Sequence, residues 1–120
     1  MAEHNELGKK GEELALKHLK DRGYKILETN KRYQRDELDI IAEKDNLLII
    51  VEVKTRINDY FGKPEEFVTR AKQKRIVNAA DQYIMENDID LETRFDVVSV
   101  ITNQKRTEIN HIEEAFTPEP

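Results

Sequence analysis

The sequence predicts an α/β fold in which a mixed β-sheet is flanked by helices, in the order αβββαββ. Two stretches carry apolar residues at helical spacing. Short runs rich in Ile, Val and Leu, bounded by turn residues, lie between and after them and read as strands. The second helical stretch separates the third strand from the fourth, and such a connection requires a parallel crossover.

The first helix is expected over residues 5–22, with Asn5 as its cap and Gly23 at the stop position. Leu7, Leu14, Ala15, His18 and Leu19 share one arc of it, and Gly8 and Gly11 on the same arc leave room for close packing. Glu12 stands at the margin of that arc, between core and solvent. Residues 24–27 suit a short strand, and the polar stretch 29–35 suits a loop. Stronger strands follow at 37–42 and 47–54, joined as a hairpin through Glu43, Lys44, Asp45 and Asn46. A loop containing Asn58, Asp59, Gly62 and Pro64 leads to a helix over 69–87, with Ile76, Ala79, Ala80, Tyr83 and Ile84 facing inward. Residues 94–102 form a further strand, and 107–113 a weaker one after a turn at Asn103 and Gln104. Residues 1–116 are thus expected to form a single domain, and 117–120, ending Pro-Glu-Pro, a loose tail.

At 120 residues, with equal 38% shares of apolar and charged residues, the chain suits one sizeable core under a heavily charged surface. The absence of cysteine excludes disulfides and thiolate metal sites. His4, His18 and His111 lie too far apart for zinc-ligand spacing. The start of the chain is polar, and its longest apolar run is only 47–51. No membrane segment is therefore expected, and a cytoplasmic location is. The net charge of −5 argues against a protein that simply coats DNA, but the charge is unevenly spread. Residues 36–53 carry six acidic groups and one basic group, whereas 54–75 carry seven basic and three acidic. That juxtaposition suits either a site holding a cation beside a polyanion or a mosaic of solvated charges.

The chemistry centres on Glu37-Leu38-Asp39-Ile40-Ile41 and on Leu48-Ile49-Ile50-Val51-Glu52-Val53-Lys54. Alternation along a strand puts Glu52 and Lys54 on one face, and Glu37 and Asp39 on one face of the neighbouring strand. An apolar strand that ends in Glu-Val-Lys calls for partners, because buried charge is costly unless paired or bound to metal. Asp39 and Glu52 are candidate ligands for Mg2+ (or Mn2+), with the Val53 carbonyl as a third, since these ions take hard oxygen donors together with phosphate and water. Lys54 could then act on the attacking water and on transition-state charge. A cross-strand ion pair of Lys54 with either carboxylate is the structural alternative. Lys72 and Gln73 continue the inward face of the second helix and need polar partners, which a phosphate beside a metal would supply. Alternatively, Lys72 snorkels past the helix end. Glu12 offers a further carboxylate, directly or through water, or is a plain surface residue.

The segments Asn5-Glu6-Leu7-Gly8-Lys9-Lys10-Gly11-Glu12, Asn30-Lys31-Arg32-Tyr33, Asp36-Glu37-Leu38-Asp39-Ile40-Ile41, Val51-Glu52-Val53-Lys54-Thr55-Arg56, Phe61-Gly62, Lys72-Gln73 and Arg94-Phe95-Asp96-Val97 occur in that order. As a set they resemble the YraN-like bacterial family, which is grouped with the PD-(D/E)XK nuclease superfamily. The resemblance runs from about residue 5 to 115 and implies a restriction-endonuclease-like fold similar to that of Holliday junction resolvases. It also implies that Glu12, Asp39, Glu52 and Lys54 are the acidic and lysine residues of the site, supported by Lys72 and Gln73. The chain departs from the family pattern at Asp36, where glycine is usual. The resulting expectation is a metal-dependent endonuclease acting on DNA, in keeping with branched substrates, with Arg56, Lys63, Arg70, Lys74 and Arg75 on phosphates. The competing expectations are a nucleic-acid-binding accessory module of recombination or repair, and a protein-interaction scaffold whose carboxylates form structural ion pairs. The resolvase likeness further implies a homodimer.

Overall fold

The computed structural model describes residues 2–60, 62 and 68–118, with the backbone alone for 2–5. Its elements are α1 (Ala2–Asp21), β1 (Lys25–Tyr33), β2 (Asp36–Lys44), β3 (Leu47–Arg56), α2 (Arg70–Glu86), β4 (Glu92–Thr102) and β5 (Thr107–Phe116). This is the expected order of helices and strands. The strands form one sheet in the order β1-β2-β3-β4-β5. All neighbours are antiparallel except β3 and β4, which α2 connects as a parallel crossover.

Local chemistry sets the centre of the sheet. Asp45 and Asn46 both take the left-handed conformation (φ 52° and 67°), as a two-residue hairpin turn requires, and so bring Lys44 opposite Leu47. The two faces of the sheet carry separate cores. On one, Ala15 and Leu19 of α1 pack with Ile40, Ala42, Ile49, Val51, Val98 and Val100. On the other, Ile76, Ala79, Ala80 and Tyr83 of α2 pack with Leu38, Ile41, Leu48, Ile50, Phe95 and Val97. Odd and even residues of β3 thus serve opposite cores, so Glu52 continues the α2 side and Val53 the α1 side. The second helix starts at a cap: the Thr69 hydroxyl accepts from the Lys72 N–H at 3.2 Å. Among the described residues no helix is long and apolar enough to cross a membrane.

Four expectations need correction. The first helix begins at Ala2, so Asn5 lies within it rather than at its start. Residues 29–35 are largely strand rather than loop, because β1 is an edge strand whose polar side chains face outward while its backbone pairs with β2 as far as Tyr33–Asp36. The last strand extends to Phe116, whose ring stacks on Phe95 at 5.3 Å. Of the two glycines on the α1 arc only Gly11 makes a close approach: a Cβ there would stand 1.9 Å from Thr55 Oγ1, whereas one on Gly8 would meet nothing within 4 Å.

Candidate active site

The pairing of β2 with β3 ends at Ile40–Val51, while β1 stays paired to β2 and β4 to β3 beyond that point. The sheet therefore forks where the charged residues begin. Asp39 bridges the fork: its Oδ2 accepts from the Val53 N–H at 2.8 Å, where a ladder partner would otherwise stand. Glu52, 4% exposed, lies beside Asp39 at the end of the apolar run of β3. Burial pushes the Asp39 carboxyl up to about 8, the neighbouring Glu52 charge adds to this, and the Val53 N–H opposes it. A hydrogen bond between the two carboxyl groups, and Glu12 behind them, raise it further.

Two lysines answer this negative charge. Lys54 Nζ stands 3.7 Å from Glu52 Oε2, and Lys72 Nζ, reaching from the first turn of α2, stands 3.6 Å from the same oxygen. Glu12 comes from α1, which Gly11 lets settle against Thr55 of β3. Its carboxyl is raised above the ordinary range by burial first, held down by a hydrogen bond with Asn30, and raised by Glu37 and Glu52. Asp39, Glu52, Lys54, Lys72 and Glu12 are therefore brought together, and Val53 joins them through its N–H. Gln73 does not reach the carboxylates, since its Nε2 donates to the Val68 carbonyl at 3.1 Å and steadies the approach to α2.

The donor types suit a hard divalent cation: two adjacent carboxyl groups, one of them raised by burial and by the charge of the other. Among the described residues no group of three Asp, Glu, His or Cys side chains is placed to hold a metal ion, so Glu12 does not close on Asp39 and Glu52 as a third direct ligand. A magnesium-type site with two carboxylates needs none, because water and substrate phosphate fill the remainder.

The basic residues divide. Arg70 and Lys74 line a groove of about 360 Å³ between α2 and Thr117–Pro118. Arg75 lies 3.8 Å from Asp36, so the extra acid at that position is matched by a cation, and both border a smaller hollow with Arg35, Glu37 and Lys72. Arg56 ends β3 on the exposed surface. Lys63 lies outside the described residues.

A second buried acid belongs to β4. Asp96, fully buried, accepts a two-pronged interaction from Arg94 (2.8 Å to each oxygen), a contact from His111 Nε2 at 2.8 Å, and the Glu114 N–H at 3.0 Å. Arg94 also donates to the Tyr24 hydroxyl at 2.9 Å. Although burial opposes it, the hydrogen bonds of His111, Arg94 and the Glu114 N–H hold the Asp96 carboxyl below the usual range. This network stands on the α1 side of the sheet, where the His18 and Tyr24 rings lie against His111.

Asn30, which holds Glu12, had no expected role, and Glu37, expected on one face with Asp39, adds to the field around Glu12. Asn30 sits in left-handed conformation (φ 52°) within a polar stretch, and only the family-like Asn-Lys-Arg-Tyr segment marked it out.

The family model described as "Uncharacterised protein family UPF0102" matches residues 11–100, a stretch that includes both buried acids and Glu12. A UPF0102 protein of Flavobacterium psychrophilum is 52% identical over 116 residues, covering 97% of this chain and 98% of the relative. One from Christiangramia forsetii is 51% identical over 116 residues, with 97% and 98% covered. Another, from Bacteroides thetaiotaomicron, is 52% identical over 118 residues, with 98% of each covered.

Proposed function

The chain belongs to the uncharacterised protein family UPF0102, and we propose that it is a metal-dependent endonuclease hydrolysing DNA phosphodiester bonds at Asp39, Glu52 and Lys54. One observation carries this reading: at a fork in the sheet the half-buried Asp39 carboxyl, tied to the Val53 N–H, is set against the buried Glu52 carboxyl. Structural acids are ordinarily matched by cations or several donors, whereas Asp39 has one N–H and a second carboxyl group. Asp39 and Glu52 would hold Mg2+ or Mn2+, with the Val53 carbonyl as a further oxygen donor and Glu12 acting through water. When bound, the ion would supply neutralising charge at the scissile phosphate. Lys54 orients the attacking water and offsets negative charge as it builds on the phosphoryl oxygens. Lys72, now held on Glu52, is near enough to turn to a substrate phosphate once a cation takes over its partner. Arg56, Lys63, Arg70, Lys74 and Arg75 would contact the backbone without reading sequence.

A second reading is favoured by one feature. Lys54 and Lys72 already flank Glu52 as ion-pair partners, which also suits a binding module of recombination or repair that retains the fold without turnover. Cleavage separates the two. Purified protein with Mg2+ or Mn2+ is assayed on linear, flapped and four-way DNA and on single-stranded RNA. The expected result is DNA cleavage that Asp39→Asn, Glu52→Gln and Lys54→Ala each reduce by roughly 100-fold or more. Binding without cleavage would favour the accessory module, and cleavage that persists in all three variants would place the chemistry elsewhere.

A further inference from the structure

Tyr60 stands apart from the other tyrosines. Tyr24, Tyr33 and Tyr83 are 7%, 7% and 5% exposed, whereas Tyr60 is 83% exposed. Ile57, in the same short segment, is 56% exposed. A single apolar side chain in solvent is ordinary and calls for no ligand. The surroundings of this one are not ordinary. The segment leaves the active site directly, six residues on from Lys54, a distance that an extended chain covers in roughly 20 Å.

The backbone here is pinned. Asn103 Nδ2 donates to the Ile57 carbonyl at 2.6 Å, and the Tyr60 N–H donates to Asn58 Oδ1 at 3.1 Å. Asn103 belongs to the turn between β4 and β5, whose own amides at Lys105 and Arg106 donate to its Oδ1. That turn sets Arg106 against the segment, where it pairs with Asp59 at 3.8 Å and with Glu108. An exposed aromatic ring on a pinned backbone, one residue on from the Asp59–Arg106 pair and in the segment that continues the strand carrying Lys54, has the chemistry of a platform for a base. Bases within a duplex are already stacked on both sides. Only an unpaired base, in a single strand or at a branch, has a face free for the ring.

We infer that Tyr60 stacks on an unpaired nucleobase of the substrate, with Ile57 as apolar support, and thereby directs cleavage to single-stranded or branched DNA. This inference rests on the nucleic-acid reading above and names the substrate class for that site. Tyr60 is a recognition residue, outside the group that handles the phosphate.

The chain has no tryptophan and three of its four tyrosines are buried, so a change in tyrosine emission on binding reports chiefly on Tyr60. The protein is titrated with oligothymidine and with a blunt duplex in EDTA, which prevents cleavage. Saturable quenching by the single strand is expected, and Tyr60→Ala should abolish it while weakening single-strand binding about ten-fold. Duplex affinity should change by less than about two-fold, because that component is electrostatic. Tyr60→Phe should restore single-strand affinity, since the ring remains. Wild-type affinity in Tyr60→Ala, or an equal loss for both DNAs, would overturn the inference and leave this face to a protein partner. Quenching by a protein that cleaves nothing would remove the nuclease reading and the direction of cleavage, and uphold the stacking of Tyr60 on an unpaired base. Cleavage of single-stranded and branched DNA unaffected by Tyr60→Ala would remove this inference alone. If the wild type binds neither DNA, both fall.

Discussion

Asp39, half-buried, and Asp96, fully buried, flank the same central strand, and their surroundings treat them in opposite ways. Asp96 has an arginine fork, an imidazole and a backbone N–H around it, and its carboxyl is held below the usual range. Asp39 has one N–H and a neighbouring carboxylate, and its carboxyl is pushed up to about 8. Burial alone therefore does not distinguish a structural acid from a chemical one. The difference lies in how fully the partners satisfy the charge. Asp96 fastens β4 to β5 and, through Arg94 and Tyr24, to the chain leaving α1. Asp39 holds β3 at the edge of a fork, with a second carboxyl group beside it.

The largest effect expected on stability comes from the satisfied acid. Asp96→Ala leaves Arg94 and His111 without their buried counter-charge and should cost about 3–5 kcal/mol in denaturant unfolding, the range for breaking a buried pair from one side. A loss below about 1 kcal/mol would mean that the network is solvated and that the contrast with Asp39 fails. Its pH dependence follows from the depressed carboxyl. The stabilisation is complete above the unfolded aspartate value of roughly 3.9 and is lost as pH falls through the lower folded value, so Asp96→Asn should flatten the acid limb of the stability curve.

For Asp39 the sign reverses. Between roughly 4, the unfolded value, and about 8, the folded one, the metal-free native state keeps a proton that the unfolded chain releases. Stability should therefore fall as pH rises through that window. Asp39→Asn removes this slope and should raise stability at neutral pH by something on the order of 1–3 kcal/mol, while turnover is lost. Destabilisation by Asp39→Asn would mark Asp39 as a second structural acid. The smallest stability effect, under about 1 kcal/mol, is expected from reversing Arg70, Lys74 and Arg75 together to glutamate. DNA binding should nonetheless weaken alike for unrelated sequences, with the salt dependence shallower by roughly two to three charges' worth. Unchanged binding would move the interface elsewhere, with Lys9, Lys10 and Lys17 the next candidates.

The legible part of the molecule was the part written in local pattern. Strand alternation and the Asp-Asn turn are visible in β2 and β3, and the charges at the ends of those apolar runs marked Asp39, Glu52 and Lys54. Edge strand β1 was obscured because polar side chains on a solvent-facing edge look the same as a loop, and only pairing with β2 tells them apart. Gly8 and Gly11 share an arc, but whether either is approached depends on where β3 stands, and only Gly11 meets it. The different fates of the two aspartates were hidden for a similar reason. Arg94 stands only two residues from Asp96, but the other partners that satisfy it, His111 and the Glu114 N–H, come from β5, far away in sequence, whereas Asp39 lacks such partners.

Titration of the protein with Mn2+, followed by electron paramagnetic resonance, tests most directly whether the unsatisfied acid is a metal-holding one. The expected result is a single bound ion in the wild type, held about ten-fold or more weakly in Asp39→Asn and in Glu52→Gln, and unchanged in Asp96→Asn. Mn2+ affinity that survives both site substitutions, or no binding by the wild type even with DNA present, would contradict it.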